Sequence, residues 1–376
     1  MIKKILYINF SEGWGGLEIF SYNIFSLMSN AGCNIIFAVT ENSPLAAKLD
    51  AEGFSHKIIK FKSGAYQKII IPFKIGKILS KENISIIHTF KSSDIRTAVI
   101  AMKIYFLKNI RLIHHLQLLP EHPRKDLIHF YIYKHLYKLV SITRQMEKAV
   151  IKYWPVSEKK ILTIYHGIDN EPFKAERKKS CKNRIKHNIP SNKTVIGIVG
   201  QVTQWKGQYL LLEVFSELKK IHSEIFLVIA GAPPKGEENF LEKIKAYIVE
   251  RNLENDVLLA GFCPNIPEMM SCFDIFVLGS KNETFGLVVI EAMSSGCLVT
   301  ASSAGGVPEI VTDSIDGFLY KAFDENDLYS CLKKILNLNE NVKTEIIKNA
   351  ENTVKSRFSI DRFKAEINEL YDSSQF

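Results

Sequence analysis

The sequence predicts two doubly wound α/β domains, each built on a parallel sheet, and three observations carry that prediction. At 376 residues the chain exceeds what one hydrophobic core usually supports. Short apolar runs alternate with longer amphipathic segments from end to end, the rhythm of strand and crossover helix. A polar, lysine-rich stretch at residues 171–192 interrupts that rhythm once and lets it restart. Apolar residues make up 46% of the chain and charged residues 24%, the balance of a folded protein rather than a disordered one.

In the first half the strand candidates are residues 5–9, 35–39, 84–88 and 110–114, with amphipathic helices between them. The opening run Met1-Ile2-Lys3-Lys4-Ile5-Leu6-Tyr7-Ile8 is too short for a signal sequence and is broken at once by Asn9, Ser11 and Glu12, so it reads as a buried first strand. The break between domains falls on Lys178-Lys179-Ser180-Cys181-Lys182-Asn183-Arg184 and ends in Pro190. Beyond it the strand candidates are 194–200, 225–230, 257–259, 275–278 and 298–301, each followed by a turn and helical sequence. The expected domains are therefore 1–175 and 190–355, with a final helix over 356–376 packing back on the first domain.

Composition narrows the function classes. The net charge of +9 is uneven: residues 1–180 hold 28 Lys and Arg against 14 Asp and Glu, and residues 181–376 hold 21 against 26. A basic first half suits anionic lipid, a phosphorylated acceptor or nucleic acid, or is simply a solvated lysine-rich surface. No nucleic-acid motif accompanies it, so nucleic acid is not expected as a partner. The mixed basic and apolar segments Lys57-Ile58-Ile59-Lys60-Phe61-Lys62 and Lys68-Ile69-Ile70-Ile71-Pro72-Phe73-Lys74 read either as an interfacial surface or as a core helix with a lysine-rich outer face. His122-Pro123-Arg124-Lys125-Asp126 reads as a contact for a phosphorylated acceptor or as an exposed turn. No run of about 18 uncharged apolar residues exists, so any membrane contact is expected to be peripheral. The six cysteines are scattered without CxxC spacing, which places the chain in a reducing, cytoplasmic compartment.

Ligands of open parallel sheets sit beyond the carboxyl ends of the strands, and the chemistry-bearing residues cluster there. Gly200-Gln201-Val202-Thr203-Gln204-Trp205-Lys206-Gly207 follows the first strand of the second half; its glycines, its lysine and the amides of an ensuing helix suit an anion, although it is not a GxxxxGK[ST] loop. After residues 275–278 come Gly279-Ser280-Lys281-Asn282-Glu283-Thr284-Phe285-Gly286-Leu287 and then Glu291. A helix starting near residues 285–287 would aim its free amides and positive end at a phosphate. Glu283 in the loop could reach a sugar hydroxyl, and Glu291, one turn into the helix, ribose hydroxyls. Residues 302–310 add a third glycine-rich turn, Ala304-Gly305-Gly306-Val307-Pro308-Glu309.

The run from Glu283 to Glu309 resembles the E-x7-E and GG-x-x-E pattern of family 4 glycosyltransferases, which have the GT-B fold of two Rossmann-like domains facing a central cleft. The resemblance extends along essentially the whole chain, through Gly15-Gly16-Leu17-Glu18, His114-His115, Tyr165-His166-Gly167-Ile168-Asp169 and Lys206-Gly207. By position it implies a donor site of Gly16, Gly200, Gln201, Lys206, Glu283, Thr284, Phe285, Gly286, Leu287 and Glu291. In that set Glu283 contacts the donor sugar, Glu291 the ribose, Lys206 the leaving diphosphate, and residues 285–287 the diphosphate through their amides. Gly15, Gly16 and His115 are implied on the acceptor side, with His114 as the alternative histidine; His115, Lys206 and Glu283 are the implied catalytic set. The sequence departs from the pattern at Gln201, where the family often has Arg, and at His166, where it often has Asn.

The implied reaction is retaining transfer of a hexose or N-acetylhexosamine from a nucleotide-diphosphate sugar, UDP-sugars being favoured by family frequency. The acceptor is a glycan or lipid-linked glycan of bacterial cell-surface polysaccharide or lipopolysaccharide assembly, met at the inner face of the cytoplasmic membrane. No Asp-x-Asp triplet is present, so no metal and no further cofactor are expected. The competing readings are a nucleotide-sugar epimerase or glycogen-synthase-like enzyme on the same fold, and a catalytically silent partner subunit. A NAD-dependent oxidoreductase is disfavoured because Gly13-Trp14-Gly15-Gly16 does not form G-x-G-x-x-G.

Overall fold

The computed structural model describes residues 3–64 and 67–372, the side chains of Gln67 and Lys68 excepted. Met1 and Ile2 of the expected first strand, the side chain of Lys68 in the second basic segment and residues 373–376 of the expected last helix lie outside what is described. The chain divides into two units, Met1–Tyr165 with Lys364–Phe376, and His166–Phe363.

The first unit contains β1 (Lys4–Asn9), β2 (Asn34–Thr40), β3 (Ile58–Phe61), β4 (Ile86–Thr89), β5 (Arg111–His115), β6 (Leu136–Ser141) and β7 (Ile161–Thr163). They form one parallel sheet in the order β3-β2-β1-β4-β5-β6-β7. Helices cover both faces of such a sheet, which is why β1, β4 and β5 are nearly continuous apolar runs with Ile5, Leu6, Ile8, Ile86, Ile87, Leu112 and Ile113 all buried.

One basic segment takes a different form from the helix alternative. Lys57–Lys62 is not a core helix: Ile58–Phe61 pairs with β2 from Phe37↔Ile58 to Thr40↔Phe61 as an edge strand. Lysines on an edge strand guard its open side against pairing with another chain, and the β-branched pair Ile58-Ile59 favours the extended form. The following helix is Gln67–Lys81, with Pro72 inside it. At residues 122–126, Asp126 caps the helix Leu127–Tyr133 by accepting from the Ile128 and His129 amides at 3.0 Å each. Arg124 lies over the Trp154 ring, 4.8 Å from its centre. That segment is a built turn.

The second unit contains β8 (Thr194–Val199), β9 (Ile225–Ala230), β10 (Val257–Gly261), β11 (Ile275–Leu278), β12 (Leu298–Ser302) and β13 (Phe318–Tyr320), parallel in the order β10-β9-β8-β11-β12-β13. The lysine-rich stretch read as a break between domains belongs to this unit, and the change of unit falls at Tyr165/His166. It folds as helices Glu171–Arg177 and Ser180–Lys186. Arg184 pins it by donating to the Cys272 carbonyl at 2.9 Å and to Asp274 at 2.8 Å, and Asn183 donates to Ser271 at 2.8 Å. Around β8 the core is Ile196, Ile198, Leu211, Phe215, Leu227 and Val277. At Gly197 the missing Cβ lets the Phe273 ring lie directly on the strand, since a methyl there would stand 2.2 Å from the ring.

Strand order reverses between β1 and β4 in the first sheet and between β8 and β11 in the second. These are the switch points where flanking loops diverge and leave room for a ligand.

Candidate functional site

In the second unit β8 and β11 pair only at Ile196↔Ile275 and Gly197↔Phe276, although they continue to Val199 and Leu278. Their carboxyl ends part, and the loops 200–207 and 279–286 emerge there. Two glycines lace these loops together. A Cβ on Gly207, whose φ is +80°, would stand 2.3 Å from the Gly279 carbonyl oxygen, and one on Gly279 would stand 2.8 Å from the Gly207 Cα. Only bare backbone permits that approach. The Lys281 amide then donates to the Trp205 carbonyl at 2.9 Å.

Glu283 is held from three sides. Its carboxylate accepts from Lys206 Nζ at 2.9 Å and from Ser280 Oγ at 3.2 Å. Its carbonyl accepts from the Gly306 amide at 2.9 Å. Gly305, at φ +60°, lets the third loop press against Glu283, since a Cβ there would lie 1.7 Å from the Glu283 carbonyl oxygen. Ser302 Oγ, at the end of β12, donates to the Ser280 carbonyl at 2.7 Å. The glycine-rich turn read from the sequence is thus the brace of Glu283. Ser280 and Ser302 are members of the site that residue pattern alone did not single out, because serine in a loop carries no signal of its partner.

The helix after the second loop is Leu287–Ser295, with Gly286 before it in the left-handed region at φ +104° and no side-chain cap. The Leu287 and Val288 amides therefore start a helix without an intrahelical acceptor. Glu291 lies one turn on, on the face of Leu287. It is half-buried, and among the described residues its carboxylate has no hydrogen-bond partner. Burial pushes its carboxyl up to about 7 from the ordinary 4.5.

Phe285 anchors the turn into this helix. Its buried ring stands edge-on to His166 with centres 4.9 Å apart and to Phe358 at 5.9 Å. Burial holds His166 neutral, its pKa lowered to about 3. The His166 carbonyl accepts from Arg362 at 3.1 Å. The Ile168 amide donates to Phe358 at 2.9 Å and that of Ile360 to Ile168 at 3.0 Å. Within this anchor, His166 thus backs the Phe285 turn. Gln201 is exposed and gives its carbonyl to Gln208 Nε2 at 2.9 Å. Thr284 is half-buried in the same loop as Glu283. Gly200 fits its sharp turn with φ +148°.

In the first unit, helix Gly16–Asn30 starts directly behind the loop after β1. A Cβ on Gly16 would meet nothing within 4 Å, so packing does not demand glycine there and the helix start is left bare. His115 is the last residue of β5 rather than a residue past it, and is fully buried. Its ring stands edge-on to Phe20 at 4.6 Å and parallel to His88 at 5.6 Å. His114, on the opposite face, has Nδ1 3.0 Å from Thr89 Oγ1. Burial lowers His88 and His114 to about 3, so both are neutral. His88 Nδ1 is 2.7 Å from the Tyr371 hydroxyl, which is 2.5 Å from that of Tyr7. Among the described residues no group of three or more His, Cys, Asp or Glu is set to hold a metal.

Comparison with known proteins bears on the family and the fold. The family model "Glycosyltransferase Family 4" matches residues 14–172 and "Glycosyl transferases group 1" matches residues 180–353. The chain is 24% identical over 381 residues to the Escherichia coli UDP-Gal:alpha-D-GlcNAc-diphosphoundecaprenol alpha-1,3-galactosyltransferase, covering 98% of this chain and 96% of that one. It is 27% identical to the lipopolysaccharide core biosynthesis mannosyltransferase LpcC of Rhizobium leguminosarum, over 56% of this chain and 59% of that one. Among solved structures, a glycosyltransferase from Rickettsia africae superposes with a TM-score of 0.85 at 22% identity, covering 98% and 97% of the two chains. Anabaena HepE in complex with UDP and glucose superposes with a TM-score of 0.80 at 20% identity, covering 99% and 100%.

Proposed function

The chain belongs to the family 4 glycosyltransferases and has their GT-B fold, and from that premise we propose that it is a retaining transferase that takes its sugar from a nucleotide diphosphate. The observation that carries the reading is the Lys206–Glu283 pair, set between three glycine-braced loops and beside the uncapped start of helix Leu287–Ser295. In the free protein the two side chains satisfy each other. With donor bound, the ammonium turns to the diphosphate and the carboxylate accepts from sugar hydroxyls, while Glu291 accepts from the ribose.

Transfer breaks the bond between the anomeric carbon and the phosphate oxygen, and the electron pair leaves with the diphosphate. Lys206 and the amides of residues 285–287 stabilise that charge, the largest expected term in catalysis. The acceptor hydroxyl attacks the face the phosphate leaves and passes its proton to the departing phosphate oxygen. No carboxylate nucleophile and no metal take part in this scheme.

A UDP-sugar is the favoured donor, supported by the UDP-galactose named for the Escherichia coli relative and the UDP found with Anabaena HepE. A glycan or lipid-linked glycan of surface polysaccharide or lipopolysaccharide assembly is the favoured acceptor, and Gly15, Gly16 and His115 belong to its side of the reaction. The charge of the first unit supports peripheral contact with an anionic cytoplasmic membrane: residues 54–120 hold 12 Lys and Arg against two carboxylates, Glu82 and Asp94. Glu82 is paired with Lys4 and Asp94 is buried. No helix among the described residues is long and apolar enough to cross a membrane.

Calorimetric titration with UDP, GDP and ADP in the absence of metal tests the reading. Selective binding of one diphosphate, weakened in Lys206→Ala and Glu291→Ala, is the expected result. Absence of binding to any of the three by the unmodified protein would overturn it.

A further inference from the structure

Gln201 leaves the first loop one cation short of the pattern, and the one cation it keeps is engaged. Lys206 is 2.9 Å from Glu283, so its charge is neutralised in the free protein. Loops 200–207 and 279–287 contain one other basic residue, Lys281, and no carboxylate besides Glu283. The Lys281 backbone is tied to the Lys206 loop through its amide on the Trp205 carbonyl. Its side chain is exposed, and its ammonium lies over the Trp205 ring, 4.9 Å from the centre. Among the described residues no carboxylate stands within ion-pair distance of it. An indole face holds an ammonium without cancelling its charge and, at an exposed site, releases it at small cost.

We propose that Lys281 supplies the diphosphate-binding charge missing at Gln201, moved from the first loop to the second and parked on Trp205 until the donor arrives. The inference rests on the donor-site reading above and adds a phosphate-binding residue to it. One residue separates Lys281 from Glu283, and a four-carbon stem gives its ammonium the range to leave the indole for a phosphate oxygen at the mouth of the same two loops. Trp205, next to Lys206 and half-exposed, is then a positioning residue for Lys281.

The test is titration of the full chain with UDP, UMP and uridine, using Lys281→Ala, Gln201→Arg and the double variant. Lys281→Ala is expected to weaken UDP about tenfold, the effect of one charge-assisted contact, to weaken UMP less and to leave uridine unchanged. Its UDP affinity should also fall less steeply with added salt than that of the unmodified protein. Gln201→Arg should restore most of the loss in the Lys281→Ala background. A purely structural role would move all three ligands together and would not respond to the arginine. If the unmodified protein binds UDP and Lys281→Ala binds it equally well, the inference falls and the donor site stands. If the unmodified protein binds none of UDP, GDP and ADP while remaining folded, both fall.

Discussion

Removing the charge of Glu291 separates a half-buried helix carboxylate from a ribose ligand. Burial without a hydrogen-bond partner raises this carboxyl from 4.5 to about 7. A displacement of that size corresponds to about 3 kcal/mol of preference for the protonated form in the folded chain. Between pH 4.5 and 7 the folded protein holds a proton that the unfolded chain has released, so this group's contribution to stability falls as pH rises through that window. Glu291→Gln should therefore match the unmodified protein below pH 4.5 and exceed it above pH 7, by up to about 3 kcal/mol. Ligand binding should run the other way. Ribose hydroxyls donate to the ionised form, which makes up roughly a tenth of the population at pH 6 and nine-tenths at pH 8. UDP affinity should thus rise about tenfold across that range, and Glu291→Gln should bind weakly at both ends. Phosphate ionisation near pH 6 adds a slope of its own, which the Gln variant retains and so reports. Denaturation and calorimetry at pH 4.5, 6, 7 and 8 supply the data. Parallel stability profiles for the two proteins, or an equal UDP slope in both, would refute the assignment.

Lys206→Ala should leave Glu283 with Ser280 alone at its carboxylate and weaken UDP about tenfold or more with little change in Tm, as calorimetry and thermal denaturation together would show. Gly305→Ala forces a methyl into the Glu283 carbonyl at a positive φ; a loss of about 2 kcal/mol or more in unfolding free energy and of most activity is expected. Tyr371→Phe removes the hydroxyl shared by Tyr7 and His88 and should cost about 1–3 kcal/mol of stability, seen as a lower Tm with unaltered UDP binding.

The interior strands of both sheets were legible because parallel strands covered on both faces must be apolar throughout, as Ile5–Ile8 and Phe226–Ile229 are. The strands that escaped notice lie away from the switch points. Ile161–Thr163 and Phe318–Tyr320 have three residues each, too few for a pattern, and Leu136–Ser141 carries Lys138, whose ammonium finds the Lys159 carbonyl at 2.8 Å. Ile58–Phe61 was obscured by its lysines, which suit an edge strand as well as an interfacial surface. In the site, the glycines and the two glutamates announced themselves by spacing. The bond between Lys206 and Glu283 joins residues 77 apart in sequence, and no local rule relates them. The packing of His166 on Phe285 is hidden for the same reason, since an isolated histidine in sequence does not reveal which ring it will meet.

The first unit is assembled from two distant stretches of chain, and that has a consequence for its synthesis. Its sheet is finished at Thr163, yet Tyr371, which occupies the Tyr7 hydroxyl and His88 Nδ1 in the interior, emerges from the ribosome about 200 residues later. At ordinary elongation rates of about 5–20 residues per second, the nascent sheet waits on the order of ten seconds or more for its last piece, with two buried polar groups lacking the partner they have in the finished fold. The half that is translated first is therefore the half that matures last, and fragments ending near residue 165 should be captured by chaperones or degraded where the full chain is not.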